Sequence, residues 1–198
     1  MKLSILIPSL LEYDRSVPRY TLIKELHRQI NQSKEPSEYE ILTDYTPRGQ
    51  ITIGAKRNKL IQQAKGKYIA FIDDDDMIRG SYIQCLSQGM MHNVDLISFG
   101  REFYRNGVYE STTFFNKFFQ KENEASLKEV KAMNFNPYGI SHFCGFYHLS
   151  CVKREIAMQV KFIDANERED YLWSEGIKPL IQSEHHIPLV LYTVQHNK

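Results

Sequence analysis

The feature that most constrains the fold is an alternation of apolar strands and amphipathic helices over the first third of the chain. The runs "KLSILIPS", "YEILTDY" and "KYIAFIDDDD" are short, apolar and typical of buried strands. Between these runs, "VPRYTLIKELHRQINQ" and "GAKRNKLIQQAKG" place apolar residues at helical spacing, and Gly66 ends the second helix. Strands that are apolar along nearly their whole length are typical of a parallel sheet covered by helices on both faces. The sequence therefore predicts an α/β fold with a β-α-β-α-β order.

The pattern changes after Gly100. The run "VDLISFG" predicts a fourth strand, and Asn106-Gly107 between two alternating runs predicts an antiparallel hairpin. Further along, "EASLKEVKAM" and a segment that begins near Glu169 predict helices, while "CGFYHLSCV" and "PLVLYTVQH" predict strands. The prediction is a single domain of 198 residues, mostly parallel over residues 1–100 and with a small antiparallel part over residues 101–198.

Composition and simple motifs exclude several classes of protein. The net charge of +1 does not indicate a general nucleic-acid binder, and no apolar run approaches the roughly 20 residues that span a bilayer. The three cysteines form no C-x-x-C pair, which favours reduced thiols over a disulfide framework or a zinc site. Neither G-x-G-x-x-G nor a P-loop occurs, and "MKLSILIPSLLEYD" does not resemble a signal peptide. A cytoplasmic protein is expected.

Polar residues follow each of the three predicted parallel strands. Pro8 and Ser9 end the first strand, Asp44 lies at the end of the second, and four consecutive aspartates, Asp73–Asp76, follow the third. The carboxyl ends of parallel strands share one edge of a sheet, where ligands bind near the point at which the strand order reverses. The sequence therefore predicts one crevice that collects these side chains.

The four aspartates admit two interpretations. If the strand continues through them, Asp73 and Asp75 point one way and Asp74 the other, so that a D-x-D pair offers oxygens to a hard cation such as Mg²⁺ or Mn²⁺. Asp74 is then expected to be the most replaceable of the four. Alternatively, they form an acidic loop that enters the helix near Ser81, where carboxylates interact favourably with the helix dipole.

Two further groups of charged residues are also open to two interpretations. Lys56 and Arg57 of "GAKRN" lie in the first turn of a predicted helix, where they suit a phosphate but also a solvated basic face. Glu169 and Asp170 belong to the run "NERED", and Asp170 lies 97 residues after Asp73. They suit a general base with a positioning partner, or the capping of a helix.

Taken together, "SILIPS", "TDY", "GAKRNKLIQQAKGKYIAFIDDDD" and "ERED" resemble the family 2 glycosyltransferases of the GT-A fold. In that family the first strand ends in I-P-[ST], and the second ends in an aspartate that contacts the nucleotide base. A G-x-x-x-x-R-N helix then precedes the D-x-D strand, and an E-D pair follows about a hundred residues later. The resemblance extends from Leu3 to Trp173.

The resemblance implies a role for each matching position. Asp44 would contact the base, Arg57 the diphosphate, and Asp170 would accept the proton of the acceptor hydroxyl with Glu169 beside it. The D-x-D would be Asp73 with Asp75, and the overlapping pair Asp74 with Asp76 stays open. The implied residues are Pro8, Ser9, Glu12, Asp44, Arg57, Asp73 and Asp74 for the nucleotide sugar, Asp75, Asp76 and His196 for the cation, and Asp170 and Glu169 for catalysis.

The implied reaction is metal-dependent transfer of a sugar, with inversion, from a nucleotide-diphospho-sugar to an acceptor hydroxyl. A UDP-sugar is the expected donor, and Mn²⁺ or Mg²⁺ the expected cation. Residues 1–100 would bind the donor, and residues 101–198, rich in aromatic side chains up to residue 160, would bind the acceptor. That acceptor is expected to be a glycan, a small molecule, a protein or a modified base, and a homodimer is left open.

Two observations limit the resemblance. The family commonly has P-[TA]-[YH]-N after the first strand, whereas this chain has "PSLLEYD", which weakens the expectation of base contacts there. The alternative function is a non-catalytic nucleotide-sugar or nucleic-acid binding module on the same fold. Loss of the metal site or of the base would be the plainest mark of such a module, and Asp73, Asp75, Asp76 and Asp170 are all present.

Overall fold

The structure is a computed structural model that describes residues 1–10, 15–47, 49–117 and 142–196. Its strands are β1 Leu3–Pro8, β2 Tyr39–Asp44, β3 Tyr68–Phe71, β4 Met77–Ile78, β5 Leu96–Arg105, β6 Val108–Phe115, β7 His142–Cys144, β8 Cys151–Lys153 and β9 Glu184–His196. Its α-helices are α1 Ser16–Asn31, α2 Ile53–Gln63, α3 Tyr82–Met90, α4 Arg154–Ala157 and α5 Glu169–Ile177. Short 3₁₀ turns cover Pro36–Glu38 and Lys178–Leu180.

Strands β1, β2 and β3 form the parallel centre of the fold. β1 pairs in parallel with β2 on one side and with β3 on the other. Because successive side chains alternate between faces, Leu3, Ile5 and Ile7 pack with residues of α1 and α3. Leu6 points to the opposite face and packs with residues of α2 and α5. The prediction of a parallel sheet between two helical layers is confirmed.

The second half adds antiparallel strands, as predicted. β5 and β6 form a hairpin, and Asn106 and Gly107 at its tip have φ angles of 49° and 78°, as a tight two-residue turn requires. β8 pairs antiparallel with β3 and β5 and so joins the two halves into one sheet. β9 runs parallel to β5 and antiparallel to β4.

Two details of the second half differ from the prediction or lie beyond it. The single strand predicted for "CGFYHLSCV" is wrong, because β7 ends at Cys144 and β8 begins only at Cys151. The intervening residues turn, and the Ser150 backbone N–H donates to the Tyr147 carbonyl at 3.0 Å. This turn carries side chains into the candidate site. The helix predicted for "EASLKEVKAM" lies outside the described residues.

The strand order β2-β1-β3 places the reversal of connection direction at β1, so the carboxyl ends of all three strands meet at one edge. The segment after β3 and the residues after β1 and β2 therefore line a common crevice. Within the described part of the chain, no helix combines the length and apolar character needed to cross a membrane.

Candidate functional site

The four aspartates form a turn rather than the end of a strand. β3 ends at Phe71, and the Asp76 backbone N–H donates to the Asp73 carbonyl at 3.2 Å. Alternation along an extended strand therefore does not decide where these side chains point. Their direction is set by the partners that each one meets, and these partners come from four other segments of the chain. Residues Asp73–Asp76 are called the aspartate turn below.

Asp74 is the most enclosed member of the aspartate turn. Its Oδ2 accepts from the Ser9 hydroxyl at 2.6 Å and from the Leu10 backbone N–H at 3.0 Å, and its Oδ1 accepts from Arg15 Nη1 at 2.7 Å. Arg19 Nη1 lies 3.8 Å from Oδ2. Asp74 therefore fixes the segment after β1 to the aspartate turn. This contradicts the expectation that Asp74 is the most replaceable of the four.

Asp76 is also buried, against β9. Its Oδ2 accepts from the Tyr192 hydroxyl at 2.8 Å, and its Oδ1 accepts from the Gln195 backbone N–H at 2.9 Å. The Tyr192 hydroxyl in turn accepts from the Asp73 backbone N–H at 3.0 Å. Burial, followed by repulsion from Asp73, raises the pKa of Asp76 well above its ordinary value. The structure thus gives Asp76 a role in holding the turn rather than a position open to a cation.

Asp75 and Asp73 are the two partly exposed members of the turn, with 34% and 33% of their side chains exposed, but Asp73 is bound by Arg57. Arg15 Nη2 approaches Asp75 Oδ2 at 3.1 Å, while about a third of the side chain stays exposed. Partial burial and repulsion from Asp73 and Asp74 raise the pKa of Asp75, although Arg15 opposes the shift. A carboxylate in this condition gains from an additional positive charge.

Arg57 and Asp73 connect the aspartate turn to the start of α5. Arg57 Nη2 donates to Asp73 Oδ1 at 3.0 Å, and Nη1 donates to Glu169 Oε1 at 2.6 Å. The guanidinium is buried and lies over the rings of Phe71 and Phe162, with Cζ 5.7 and 5.5 Å from their centroids. Arg57 is thus not exposed to a diphosphate, the role that the resemblance gave it. It donates hydrogen bonds to two carboxylates from other parts of the chain.

Burial of Asp73 disfavours its charged form, but Arg57 and His148 together outweigh this effect and lower the pKa of Asp73 below its ordinary value. Glu169 is different, because burial outweighs Arg57 there and raises the pKa of Glu169. Glu169 is buried and does not face the crevice. Its contribution to the site is its hydrogen bond with Arg57.

The "GAKRN" helix also anchors the segment that leads to α5. The Gly54 backbone N–H donates to the Ala165 carbonyl at 3.1 Å, and a Cβ at this position would lie 1.9 Å from the Ile163 carbonyl oxygen. Asn58 pairs with the backbone of Phe162 through both its amide nitrogen and its oxygen, at 2.8 and 2.9 Å. These contacts explain why glycine and asparagine occur where a phosphate-binding loop was considered.

Asp170 lies in the first turn of α5 and faces the crevice. Its Oδ2 accepts from the Tyr147 hydroxyl at 2.5 Å and lies 3.5 Å from His148 Nδ1, and its Oδ1 accepts from the Tyr171 backbone N–H at 2.7 Å. Arg168, directly before the helix, has a left-handed φ of 63°. Such a conformation is uncommon for arginine and fixes the direction in which the helix begins.

The electrostatics favour an ionised Asp170. Burial opposes ionisation, but the positive charge that His148 can carry and the hydrogen bond from Tyr147 hold the pKa of Asp170 below its ordinary value. His148 itself is buried, and its Nε2 lies 3.4 Å from Arg57 Nη2 and 3.9 Å from Asp73 Oδ2. Burial and Arg57 lower the pKa of His148, so the imidazole is neutral near pH 7.

The ends of β1 and β2 are tied together by a buried lysine. Lys56 Nζ donates to the carbonyl oxygens of Ser9 and Thr46. The Asp44 carboxylate is nearly buried, with Oδ1 accepting from the Thr46 backbone N–H at 2.8 Å and Oδ2 lying 2.8 Å from Lys59 Nζ. Burial opposes ionisation of Asp44, but Lys59 and Thr46 outweigh it and lower the pKa.

The remaining predicted site residues lie around this core. Pro8 ends β1 beside Asp44 in the parallel register. Glu12 lies outside the described residues. The ring of His196 lies against that of Phe103, with 6.2 Å between centroids. Over residues 1–10, 15–47, 49–117 and 142–196, no group of three or more His, Cys, Asp or Glu side chains is arranged to hold a metal ion.

Sequence analysis gave no specific role to Tyr147, His148 or Arg15. Tyr147 and His148 belong to an aromatic-rich stretch that predicts packing as readily as a site. Their position in a turn between two short strands, instead of within one long strand, carries them to Asp170. Arg15 lies 59 residues before Asp74, and no local pattern joins the two.

Comparison with known proteins gives the family and the fold of the chain. The family described as Glycosyl transferase family 2 matches residues 23–156, more than half of the chain. A search of curated proteins gives no match. Among solved structures, S. aureus TarS 1-349 in complex with UDP-GlcNAc superposes with a TM-score of 0.65 at 14% identity, covering 100% of this chain and 59% of that one.

The same TarS fragment in complex with UDP gives a TM-score of 0.64 at 14% identity over 98% of this chain and 60% of that one. S. aureus TarS gives 0.61 at 14% identity over 98% of this chain and 37% of that one. The chain thus spans about six-tenths or less of these TarS chains, and likeness at this identity establishes the fold alone. The family match and the shared architecture lead to one conclusion: the chain belongs to the family 2 glycosyl transferases and has the GT-A fold.

Proposed function

We propose that the chain transfers a sugar, with inversion, from a nucleotide-diphospho-sugar to an acceptor hydroxyl. The observation that carries this proposal is the position of Asp170, a partly exposed carboxylate held in its ionised form and linked through His148 to the aspartate turn. Family membership supports glycosyl transfer in general. A UDP-sugar is the first donor to test, because the TarS complexes contain UDP-GlcNAc and UDP.

Asp170 acts as the general base. Each carboxylate oxygen accepts one hydrogen bond from the described residues, which leaves a second lone pair that can receive the proton of an acceptor hydroxyl. As that proton moves to Asp170, the hydroxyl oxygen attacks the anomeric carbon and the nucleoside diphosphate leaves from the opposite side. One positioned base is sufficient for such a displacement, and general-base catalysis typically contributes about 10²- to 10⁴-fold.

Asp75 is the residue that would hold a divalent cation. It is about a third exposed, and partial burial together with repulsion from Asp73 and Asp74 raises its pKa, so added positive charge stabilises its ionised form. Mn²⁺ or Mg²⁺ can complete its coordination with diphosphate oxygens and water, which suits a site with few protein ligands. When bound, the cation would offset the negative charge that develops on the leaving diphosphate.

The proposal is tested by adding UDP-, GDP- and dTDP-sugars to the protein with Mn²⁺ or with a chelator. We expect one donor to raise the melting temperature in the presence of the cation and to release its nucleotide slowly to water. No stabilisation and no release with any donor would contradict the proposal. Binding of nucleic acid that weakens steeply with salt would instead favour the non-catalytic module.

The role of Asp170 is tested by Asp170→Asn. We expect this variant to keep the cation-dependent thermal shift with the donor and to lose about 10²- to 10⁴-fold in turnover. Glu175→Gln is the matched control, because Glu175 lies on the same helix, is half-exposed, and pairs among the described residues with Lys178, at 3.9 Å. Wild-type turnover in Asp170→Asn would remove Asp170 from its role.

A further inference from the structure

The side chain of Tyr147 is held by Phe115 and Arg101 before any substrate binds. Its ring stacks on Phe115 with 5.5 Å between centroids and an interplanar angle of 21°. The guanidinium of Arg101 lies over both rings, with Cζ 5.6 Å from the Tyr147 centroid and 5.5 Å from that of Phe115. The Tyr147 hydroxyl therefore has little freedom, and it donates to Asp170 Oδ2 at 2.5 Å.

Among the described residues, the hydrogen bonds to the Asp170 carboxylate come once from its own helix and once from outside it. The Tyr171 backbone N–H, adjacent in sequence, donates to Oδ1 at 2.7 Å. Tyr147 supplies the hydrogen bond to Oδ2 from the turn before β8, a separate part of the sheet. Two donors on two oxygens define the plane of the carboxylate, so the external donor decides how the group is oriented relative to the sheet.

His148 does not share this role in the structure, because its Nδ1 makes no hydrogen bond with the described residues. Its Nδ1 lies 3.5 Å from Oδ2, and the buried imidazole is neutral near pH 7. At working pH the charge of His148 is therefore absent, whereas the tyrosine hydroxyl still donates. A donor that binds the ionised form of a carboxylate favours that form.

We propose that Tyr147 is a positioning residue for Asp170, whose hydroxyl orients the carboxylate toward the acceptor and keeps it ready to accept a proton. This inference rests on the proposed function of Asp170 as the base. It assigns to the turn between β7 and β8 a part in the reaction that neither the family match nor the likeness to TarS assigns.

The test is Tyr147→Phe, which removes the hydroxyl and leaves the contacts of the ring with Phe115 and Arg101. We expect kcat to fall about 10- to 100-fold, as is typical when a supporting hydrogen bond is lost, with the donor KM and the donor-induced thermal shift unchanged. The acid limb of the kcat–pH profile moves to higher pH, because loss of the bond raises the pKa of Asp170.

The other charged groups near Asp170 and Tyr147 are retained in this variant, so the pH shift is attributable to the hydroxyl. They are His148 before β8, Arg57 on α2, Glu169 on α5, Arg101 on β5 and Asp73 in the aspartate turn. Tyr68→Phe is the matched control, because the buried Tyr68 hydroxyl donates one hydrogen bond, to the Val94 carbonyl at 2.7 Å, away from Asp170.

The outcomes separate this inference from the proposed function. A ¹³C NMR titration of the Asp170 carboxyl reports its pKa whether or not turnover occurs. If wild-type protein turns over no donor, the proposed function fails, and the inference falls with it even if the titration moves. If wild-type protein is active but Tyr147→Phe keeps its kcat, its acid limb and its carboxyl titration, the positioning role is overturned while the function stands.

Discussion

The aspartate turn and the start of α5 both bring adjacent carboxylates together, but the two regions compensate the negative charge differently. Each places a buried carboxylate beside an arginine and a more exposed carboxylate next in sequence. Asp74 and Glu169 are 1% and 6% exposed, whereas Asp75 and Asp170 are 34% and 21% exposed. In both regions the buried acid holds chain segments together, and its neighbour faces the crevice.

The two exposed carboxylates differ in how their charge is compensated. The pKa of Asp75 is raised, because burial and two neighbouring aspartates outweigh Arg15. The pKa of Asp170 is lowered, because His148 and Tyr147 outweigh its burial. The aspartate turn therefore lacks positive charge that a cation could supply, whereas Asp170 is stabilised by the protein alone. This difference suits a cation-holding group in one region and a base in the other.

The largest expected effect on stability comes from substitution of Glu169, the buried carboxylate at the start of α5. Glu169→Gln leaves the buried Arg57 guanidinium without its closest counter-charge, and breaking a buried pair typically costs about 3–5 kcal/mol. Because Asp73 still accepts from Arg57 at 3.0 Å, we expect a loss of about 3 kcal/mol in the free energy of unfolding, measured by urea denaturation.

Glu175→Gln on the same helix again serves as the control, since an exposed pair contributes less than about 1 kcal/mol. If Glu169→Gln is as stable as Glu175→Gln, then Glu169 does not stabilise the fold, and it does not differ from Asp170 in the way described above. The distinction between buried and exposed carboxylates at α5 would then be lost.

The next largest effect is a difference in stability between variants of Asp74 and of Asp75. Asp74→Asn weakens the bonds to Arg15, Ser9 and Leu10, and we expect a loss of about 2 kcal/mol in the free energy of unfolding. Asp75→Asn should leave stability unchanged, because it removes a repelled charge, yet abolish the Mn²⁺-dependent part of the donor-induced thermal shift. Equal destabilisation by both substitutions would contradict the assignment of roles within the turn.

The parts of this site that could be predicted from sequence are those set by local pattern. The β-α-β order and the helix beginning at Glu169 follow from apolar periodicity within short windows. The direction of each carboxylate could not be predicted, because it depends on partners far along the chain. Ser9 lies 65 residues from Asp74, and Arg57 lies 112 residues from Glu169. A strand was expected to continue through the aspartates, but apolar pattern alone does not show where pairing stops.

The smallest expected effect concerns Asp95, a carboxylate with donors on both oxygens and no acidic neighbour in sequence. Lys153 Nζ lies 2.9 Å from Oδ1, and the Gln182 and Ser183 backbone N–H groups donate to Oδ2 at 2.9 and 3.1 Å. Burial opposes ionisation, but Lys153 and the N–H donors outweigh it and lower the pKa of Asp95. Asp95 thus has the donors of a structural carboxylate and lies outside the crevice.

A lowered pKa means that the folded state binds the proton less well than the unfolded chain. The stability supplied by Asp95 is therefore complete above its unfolded pKa of about 3.9, and it is lost as pH falls through the folded pKa. We expect Asp95→Asn to cost about 1 kcal/mol at pH 7, a cost that disappears in strong acid, with donor turnover unchanged throughout. Urea denaturation across pH measures the loss of stability, and nucleotide release measures the donor turnover. A fall in turnover would mean that donors on both oxygens do not by themselves separate a structural carboxylate from one that serves the site.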